Sequence, residues 1–514
     1  MLNVKKAVSV FATGIVALAL AFLLAHYVAA LFQPVRWPTR SYFVVMFLIA
    51  LCLKQRTSIM LFVFSLPLLP EFHLQLEAVL KPPVKYFVGH PALDVVAGLC
   101  LGLWVKRSWV AKKIEPVCEP VNWVLGLLVI VLTVSTALAI TRNLQVASLF
   151  EVSPLELLKQ LVHFKLINHP NNYAPLVDLL TYSFAVLAIC VLVPILKTFD
   201  LQEREDLIFK PLILSLILSA SWGILQAFTG LGLSQITRDY RPASFGFGAQ
   251  GFQPDIHAFA ALMLLGTVGI LGFVKKAQRR DVILGAWCVG LCWIALMLSK
   301  SKATLVFAAV VSPVLLIMLL KSRGLALKKI LYVSIAAIAV LGVLIVITKS
   351  FVWLEYLWEL LAPDSFNRTN FNRALAYRPE IFRAALSMFS DYPIFGVGQG
   401  NFFRLSSQLD ISHSPYLLEK GGDNAHNYFL QTLAETGLVG AVAFVLAISW
   451  PFFRVDHFSK ITAPALAMVA IALGNIFSHP LLIRPNLILF AVFLALVYAS
   501  VDKATAKKAP LSTQ

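Results

Sequence analysis

Charge is what this sequence has least of. Only 13% of its 514 residues are Asp, Glu, Lys or Arg, and 59% are hydrophobic, against about 25% charged and roughly 45–50% apolar in a soluble domain. That shortage excludes a soluble globular domain. Cysteine is sparse as well, at six. Cys52, Cys100, Cys190, Cys288 and Cys292 fall in apolar stretches and Cys118 in a basic loop, with neither metal-site spacing nor a disulfide framework. The chain has no HExxH, no Cys/His cluster and no Asp-x-Asp pair in the loops assigned below to the outside, so no metal ligand set and no cofactor are expected. No Ser or Cys stands on a recognisable nucleophile elbow. Internal repeats, low-complexity tracts and barrel-like alternation are missing too, which leaves helices as the only way to pair backbone groups in lipid.

What is present is a series of apolar runs near the ~20 residues that cross a bilayer. They lie at 7–32, 42–53, 57–70, 91–105, 121–140, 175–196, 208–228, 256–274, 282–298, 303–320, 328–348, 428–450, 462–478 and 486–501. The expected fold is therefore all-α: one polytopic membrane domain, residues 1–514, of about 12–14 transmembrane helices, the short 42–53 and 57–70 pair being the dispensable one. "MLNVKK" and its apolar run resemble a signal peptide, but the run is too long and lacks a small-residue cleavage site, so it reads as the first span. With the N-terminus in the cytoplasm, the short loops "KRSWVAKK", "KKAQRR" and "KSRGLALKK" and the tail "DKATAKK" all fall inside, as basic loops near span ends should. Both termini are then cytoplasmic. The net charge of +17, which in a soluble protein would suggest nucleic acid, is first an orientation signal here, and no nucleic-acid partner is expected. Three long loops, 141–174, 229–255 and 349–427, fall outside. "LFEVSPLELLKQLVHFKLI" and "SFVWLEYLWELLAP" within them have the pattern of helices lying against membrane lipid.

Those outer loops hold the polar chemistry. Gly246-x-Gly248-x-x-Gly251 has the form of a dinucleotide fingerprint, but no βαβ unit surrounds it. Its glycines suit a tight re-entrant backbone lining a cavity. Arg238 and Arg241 precede it: arginines that either meet lipid phosphate or form an anion site, since guanidinium forks match phosphate oxygens. In the third loop Arg368, Arg373, Arg378 and Arg383 recur at a spacing that no single helix face can gather. Pro379 suits a first helical turn, which puts Arg378 at a helix N-terminus, a position that draws anions. "DYPIFGVGQGNF" then reads either as a plain glycine-rich turn or as a phosphate cradle.

In "DNAHNYFLQTLAETGLVG", Asp423 or Asn424 is the expected helix cap. With 425–440 taken as one helix, Asn427, Gln431 and Glu435 form one polar stripe. His426 and Glu435 would lie on opposite faces about 13 Å apart along the axis, which disfavours a pair unless the helix breaks. Gly437 and Gly440 read as small residues for close helix packing. A buried membrane acid such as Glu435 is costly and usually purposeful. His426 has two readings, an interfacial histidine without chemistry or a base beside the arginines.

Four motifs in order resemble those of the O-antigen ligase and O-antigen polymerase superfamily: "RPASFGFGAQGFQPDIHAFA", "LMLSKSKATLVFAAVV", "RPEIFRAALSMFSDYPIFGVGQGNF" and "AHNYFLQTLAETGLVG". The resemblance covers the C-terminal two-thirds of the chain. It implies a GT-C-type glycosyltransferase of the bacterial inner membrane, acting at the periplasmic face without a metal. The donor is then a glycan on undecaprenyl diphosphate, and the acceptor is lipid A–core for a ligase or another lipid-linked repeat unit for a polymerase. Carried over, Arg241 and Arg378 bind the diphosphate and His426 is the base or orients the acceptor hydroxyl, with inversion at the anomeric carbon. Arg238, Arg373, Arg383, Asn427 and Glu435 are supporting candidates. One departure is Asp255, where relatives often have Asn. Ligase is the favoured member because the stretch from His426 to Gly440 is so complete. Protein O-oligosaccharyltransferases share it but often carry a further periplasmic region after the last span. A lipid or ion transporter is the rival from another class; it would place ionisable groups mid-span, whereas the spans here are nearly free of charge at their centres.

Overall fold

A computed structural model describes residues 2–31, 37–72, 75, 91–112, 121–149, 175–233, 248–275, 278–299, 301–322, 377–476 and 478–501. Among these residues the chain is helical, with no strand. The principal helices are α1 Leu2–Leu31, α2 Trp37–Cys52, α3 Gln55–Ser65, α4 Pro91–Ala111, α5 Trp123–Leu149, α6 Pro175–Leu196 and α7 Leu201–Thr229. They continue with α8 Ile256–Val274, interrupted by a π turn at Leu265–Gly269, then α9 Arg279–Ser299 and α10 Lys302–Ser322. After them come α11 Arg378–Asp391, α12 Tyr428–Ser449, α13 Thr462–Gly474 and α14 Arg484–Ala499. Among the described residues seven helices are long and apolar enough to cross a membrane, and four shorter apolar ones accompany them. Apart from α11, the described helices fall on the apolar runs of the sequence. At 57–70 the helix is α3, whose 11 residues fall short of the ~17 that a span needs. The expected run at 328–348 lies outside the described residues, as do Arg238, Arg241, Arg368 and Arg373.

Small residues set the closest helix approaches, as expected where lipid supplies no hydrophobic drive between helices. Gly98 and Gly102 of α4 admit the backbone of α2, where a Cβ would lie 2.6 Å from the carbonyls of Phe43 and Phe47. Gly272 of α8 likewise admits Ala463 of α13 at 2.7 Å, and Gly474 of α13 admits Ala261 of α8 at 2.7 Å. α6 lies against α14, α9 against α7, and α12 against α5 and α11. One continuous apolar core runs through the bundle. A second, smaller core lies under α11, which buries Ile381, Ala384, Ala385 and Met388 at helical spacing together with Val397, Phe402, Leu417 and Ala434.

α12 contributes Ala434 to the second core and Ala443 and Phe444 to the first, and it breaks between them. Gly437 has φ +64° and ψ −167° inside an otherwise continuous helix, a conformation that favours glycine. The break lets residues 393–398 pair with α12 backbone to backbone. The amide of Val397 donates to the carbonyl of Ala434 at 2.8 Å and that of Gly398 to Glu435 at 2.8 Å, while Leu438 and Val439 donate to Pro393 and Ile394 at 2.8 and 3.2 Å. Every partner must come close, so a Cβ on Gly396 would collide with the Glu435 carbonyl and one on Gly437 with Ile394. Gly437 is thus a backbone joint rather than the helix-packing residue that the sequence suggested.

The joint gives a stability test. Gly396→Ala combines left-handed strain of about 1–2 kcal/mol with a backbone collision, so it should lower the unfolding temperature in detergent markedly. Gly421→Ala, at φ +75° with nothing within 4 Å of the added carbon, should show the strain alone. Equal losses in the two variants would mean that the joint does not limit stability.

Candidate functional site

The helix expected to run from Ala425 begins only at Tyr428. Its cap is Asn427, whose side-chain oxygen accepts from the Leu430 amide at 3.0 Å, and not Asp423 or Asn424. Asn427 therefore leaves the polar stripe proposed for it. Gln431 and Glu435 stay on that stripe, joined at 3.2 Å. Freed from the helix, His426 takes a left-handed conformation at φ +49°, of a kind that non-glycine residues hold only where the surroundings over-determine it.

Its partner is a carboxylate, though not Glu435. The Nε2 of His426 lies 3.3 Å from the Oδ2 of Asp423, and Lys420 meets the same oxygen. Burial alone would push the Asp423 carboxyl up, but the hydrogen bonds and charges of His426 and Lys420 outweigh it and hold it well below the usual carboxylate range. With Nε2–H turned to the carboxylate, Nδ1 carries the lone pair, and this atom is buried without a hydrogen-bond partner. A carboxylate that fixes the tautomer and an opposite nitrogen left open is the arrangement of a general base.

Two more imidazoles stand beside His426: His257 at 6.5 Å and His479 at 5.1 Å between ring centroids. His257 opens α8, where Asp255 accepts from the amides of His257 and Ala258 at 2.7 and 2.9 Å. Asparagine caps a helix as well as aspartate does, so the capping role does not require an acid at position 255. His257 Nδ1 meets Ser301 Oγ at 3.1 Å, supplied by the Ser-Lys turn between α9 and α10. His479 sits in the turn before α14. Burial, followed by the His426 charge, lowers its pKa to about 4, with Arg378 acting in the same direction and Asp255 and Asp423 opposing. The Gly248–Asp255 segment is indeed a compact buried backbone: Gln226 accepts from the amide of Gly251 at 2.7 Å, and Gln253 bridges to the Pro67 carbonyl and Asn486 at 3.0 Å each.

Arg378 begins α11, with Pro379 in its first turn as the sequence suggested. Tyr377 before it is left-handed at φ +57° and stacks on Tyr416 at 4.1 Å. Tyr416 in turn lies under the Lys420 ammonium at 5.7 Å, so aromatic packing ties the arginine helix to the His426 carboxylate. Arg383 is exposed on the same helix and is not gathered with these groups. Glu435 is 2% exposed and accepts from the Phe402 amide at 3.2 Å. The glycine turn 396–400 is no phosphate cradle: its amides already bond within the protein to Tyr392, Ala434, Glu435 and Ser135. Among the described residues no set of three or more His, Cys, Asp or Glu side chains is placed to share a metal ion.

The family model described as O-antigen ligase matches residues 287–445. Those residues are thus similar to an O-antigen ligase domain. No curated protein matches the chain. The ligase match supports a function of the O-antigen ligase or polymerase type, and it encloses Arg378, Asp423, His426, Glu435 and the Gly437 joint. His257 and His479 stand outside it in sequence and beside His426 in space. Sequence reasoning missed both histidines and Asp423 as His426's partner. His257 lay inside a quoted motif, whereas His479 carried no local signal at all.

The His479 environment makes stability depend on pH. An unfolded histidine binds its proton near pH 6.5, and the folded one only near pH 4. The unfolded state therefore binds more protons between these values, and stability falls as pH drops from about 6.5 to about 4, then levels off. Thermal unfolding across this range should show a shallower slope for His479→Gln than for the wild type. Identical slopes would contradict the assignment.

Proposed function

We propose that the protein transfers a glycan from undecaprenyl diphosphate to an acceptor sugar at the periplasmic face of the bacterial inner membrane, as an O-antigen ligase acting on lipid A–core. The observation that carries this reading is His426: a histidine inside the ligase match, braced by Asp423 through one nitrogen and open at the other, beside a second histidine, His479, on which the charge of Arg378 acts. The acceptor hydroxyl gives its proton to His426 Nδ1 while its oxygen attacks the anomeric carbon. The bond from that carbon to the diphosphate oxygen breaks, and the electron pair leaves with undecaprenyl diphosphate. Attack opposite the leaving group inverts configuration. Asp423 stabilises the imidazolium that forms, in the way a buried carboxylate supports a catalytic histidine. Arg378 at its helix N-terminus, together with Arg241, meets the charge that grows on the diphosphate. Glu435 serves as a structural acceptor that fixes the glycine turn rather than as a group in contact with substrate.

Purified protein given a lipid-linked glycan and lipid A–core should transfer the glycan. His426→Ala should cut the rate by about 10²–10⁴ and Arg378→Ala by about 10² or more. Full activity in both variants would sink the assignment. Glycolipids of a deletion strain separate the two members of the superfamily: full-length polymer held on undecaprenyl diphosphate indicates a ligase, and single repeat units on the core indicate a polymerase.

A further inference from the structure

His479 is 7% exposed, and its Nδ1 is buried without a hydrogen-bond partner. A buried imidazole nitrogen left open is costly, so a group kept for packing alone is normally satisfied. The turn that carries it does not need it. Asn475 accepts from the Leu481 amide at 3.1 Å, and Asn486 donates to the Pro480 carbonyl at 3.2 Å and to Gln253 at 3.0 Å. Those amides brace the turn at Pro480 and Leu481 while the imidazole is held against His426, 5.1 Å from it between ring centroids.

Building on the glycosyl-transfer reading above, we propose that His479 is an acceptor-binding residue, its imidazole hydrogen-bonding a hydroxyl of the acceptor sugar while His426 takes the proton of the reacting one. The chemistry favours a hydroxyl over the diphosphate. Burial keeps the ring neutral near pH 7, so it offers one donor and one lone pair and no charge for an anion. Asp255 and Asp423 also act on it electrostatically, which disfavours a phosphate at this spot. A neutral neighbour does not repel His426 when that ring gains its proton. The position thus suits the sugar that receives the glycan.

Steady-state transfer assays on the full-length protein test the proposal, with lipid A–core as the acceptor probe and a glycan on undecaprenyl diphosphate as donor. In His479→Ala the KM for acceptor should rise about tenfold, the worth of one neutral hydrogen bond. The KM for donor should stay unchanged and kcat should fall less. His479→Gln, which keeps a donor and an acceptor, should restore part of the loss, and it carries the same comparison if the alanine variant folds poorly. Unaltered acceptor kinetics in His479→Ala would overturn the assignment, as would equal changes in both KM values with a lowered unfolding temperature. Absence of transfer by the wild type would remove the glycosyl-transfer reading itself, and the role of His479 with it.

Discussion

Four backbone hydrogen bonds at the Gly437 break hold the candidate site to the membrane bundle. A helix at this depth normally satisfies its amides and carbonyls internally, and each one opened without a new partner costs about 1–3 kcal/mol. α12 opens at Gly437, and residues 393–398 supply the replacements. Because the pairing is backbone to backbone, it fixes the glycine turn and α11 against α12 without depending on side-chain rotamers. Glu435 completes the joint by accepting from the Phe402 amide, and Ser135 of α5 accepts from Gln399 and donates to the Glu435 carbonyl. Arg142 adds a bond from the end of α5 to the Gly396 carbonyl at 3.0 Å.

On this base, the polar groups sort by charge. Asp423 is shared between Lys420 and His426, so the carboxylate is kept ionised and the histidine is held by one nitrogen. His479 beside it is kept neutral. Positive charge enters from α11 through Arg378, whose helix is tied by the Tyr377–Tyr416 stack to the Lys420 end of the same network. Asp423 and His426 thus come from one loop, while the charge of Arg378 reaches the neighbouring His479 from α11.

The bundle was legible in sequence because a span needs little beyond length and apolarity: the run at 175–196 is α6 and that at 256–274 is α8. Arg378 was legible because Pro379 marks a first turn locally. The partner of His426 was not. Helical arithmetic applied to 425–440 set His426 apart from Glu435, but it assumed a helix that in fact starts three residues later and could not expose Asp423 as a partner. Proline and the cap residues are local signals. Whether Asn427 or Asp423 caps depends on where the chain turns, and that turn is set by Asn475, which accepts the Tyr428 amide at 3.1 Å.

By itself the sequence determined an all-helical membrane chain, the order of its motifs, and a histidine and arginine set apart from the apolar spans, because hydropathy and turn residues act over a few neighbours. Only the tertiary structure decided that Gly437 is a joint, that the glycine turn has no free amides for phosphate, and that His257 and His479 flank His426. These depend on segments far apart in the chain meeting at one end of the bundle, and no local pattern encodes which distant backbone will replace a broken hydrogen bond.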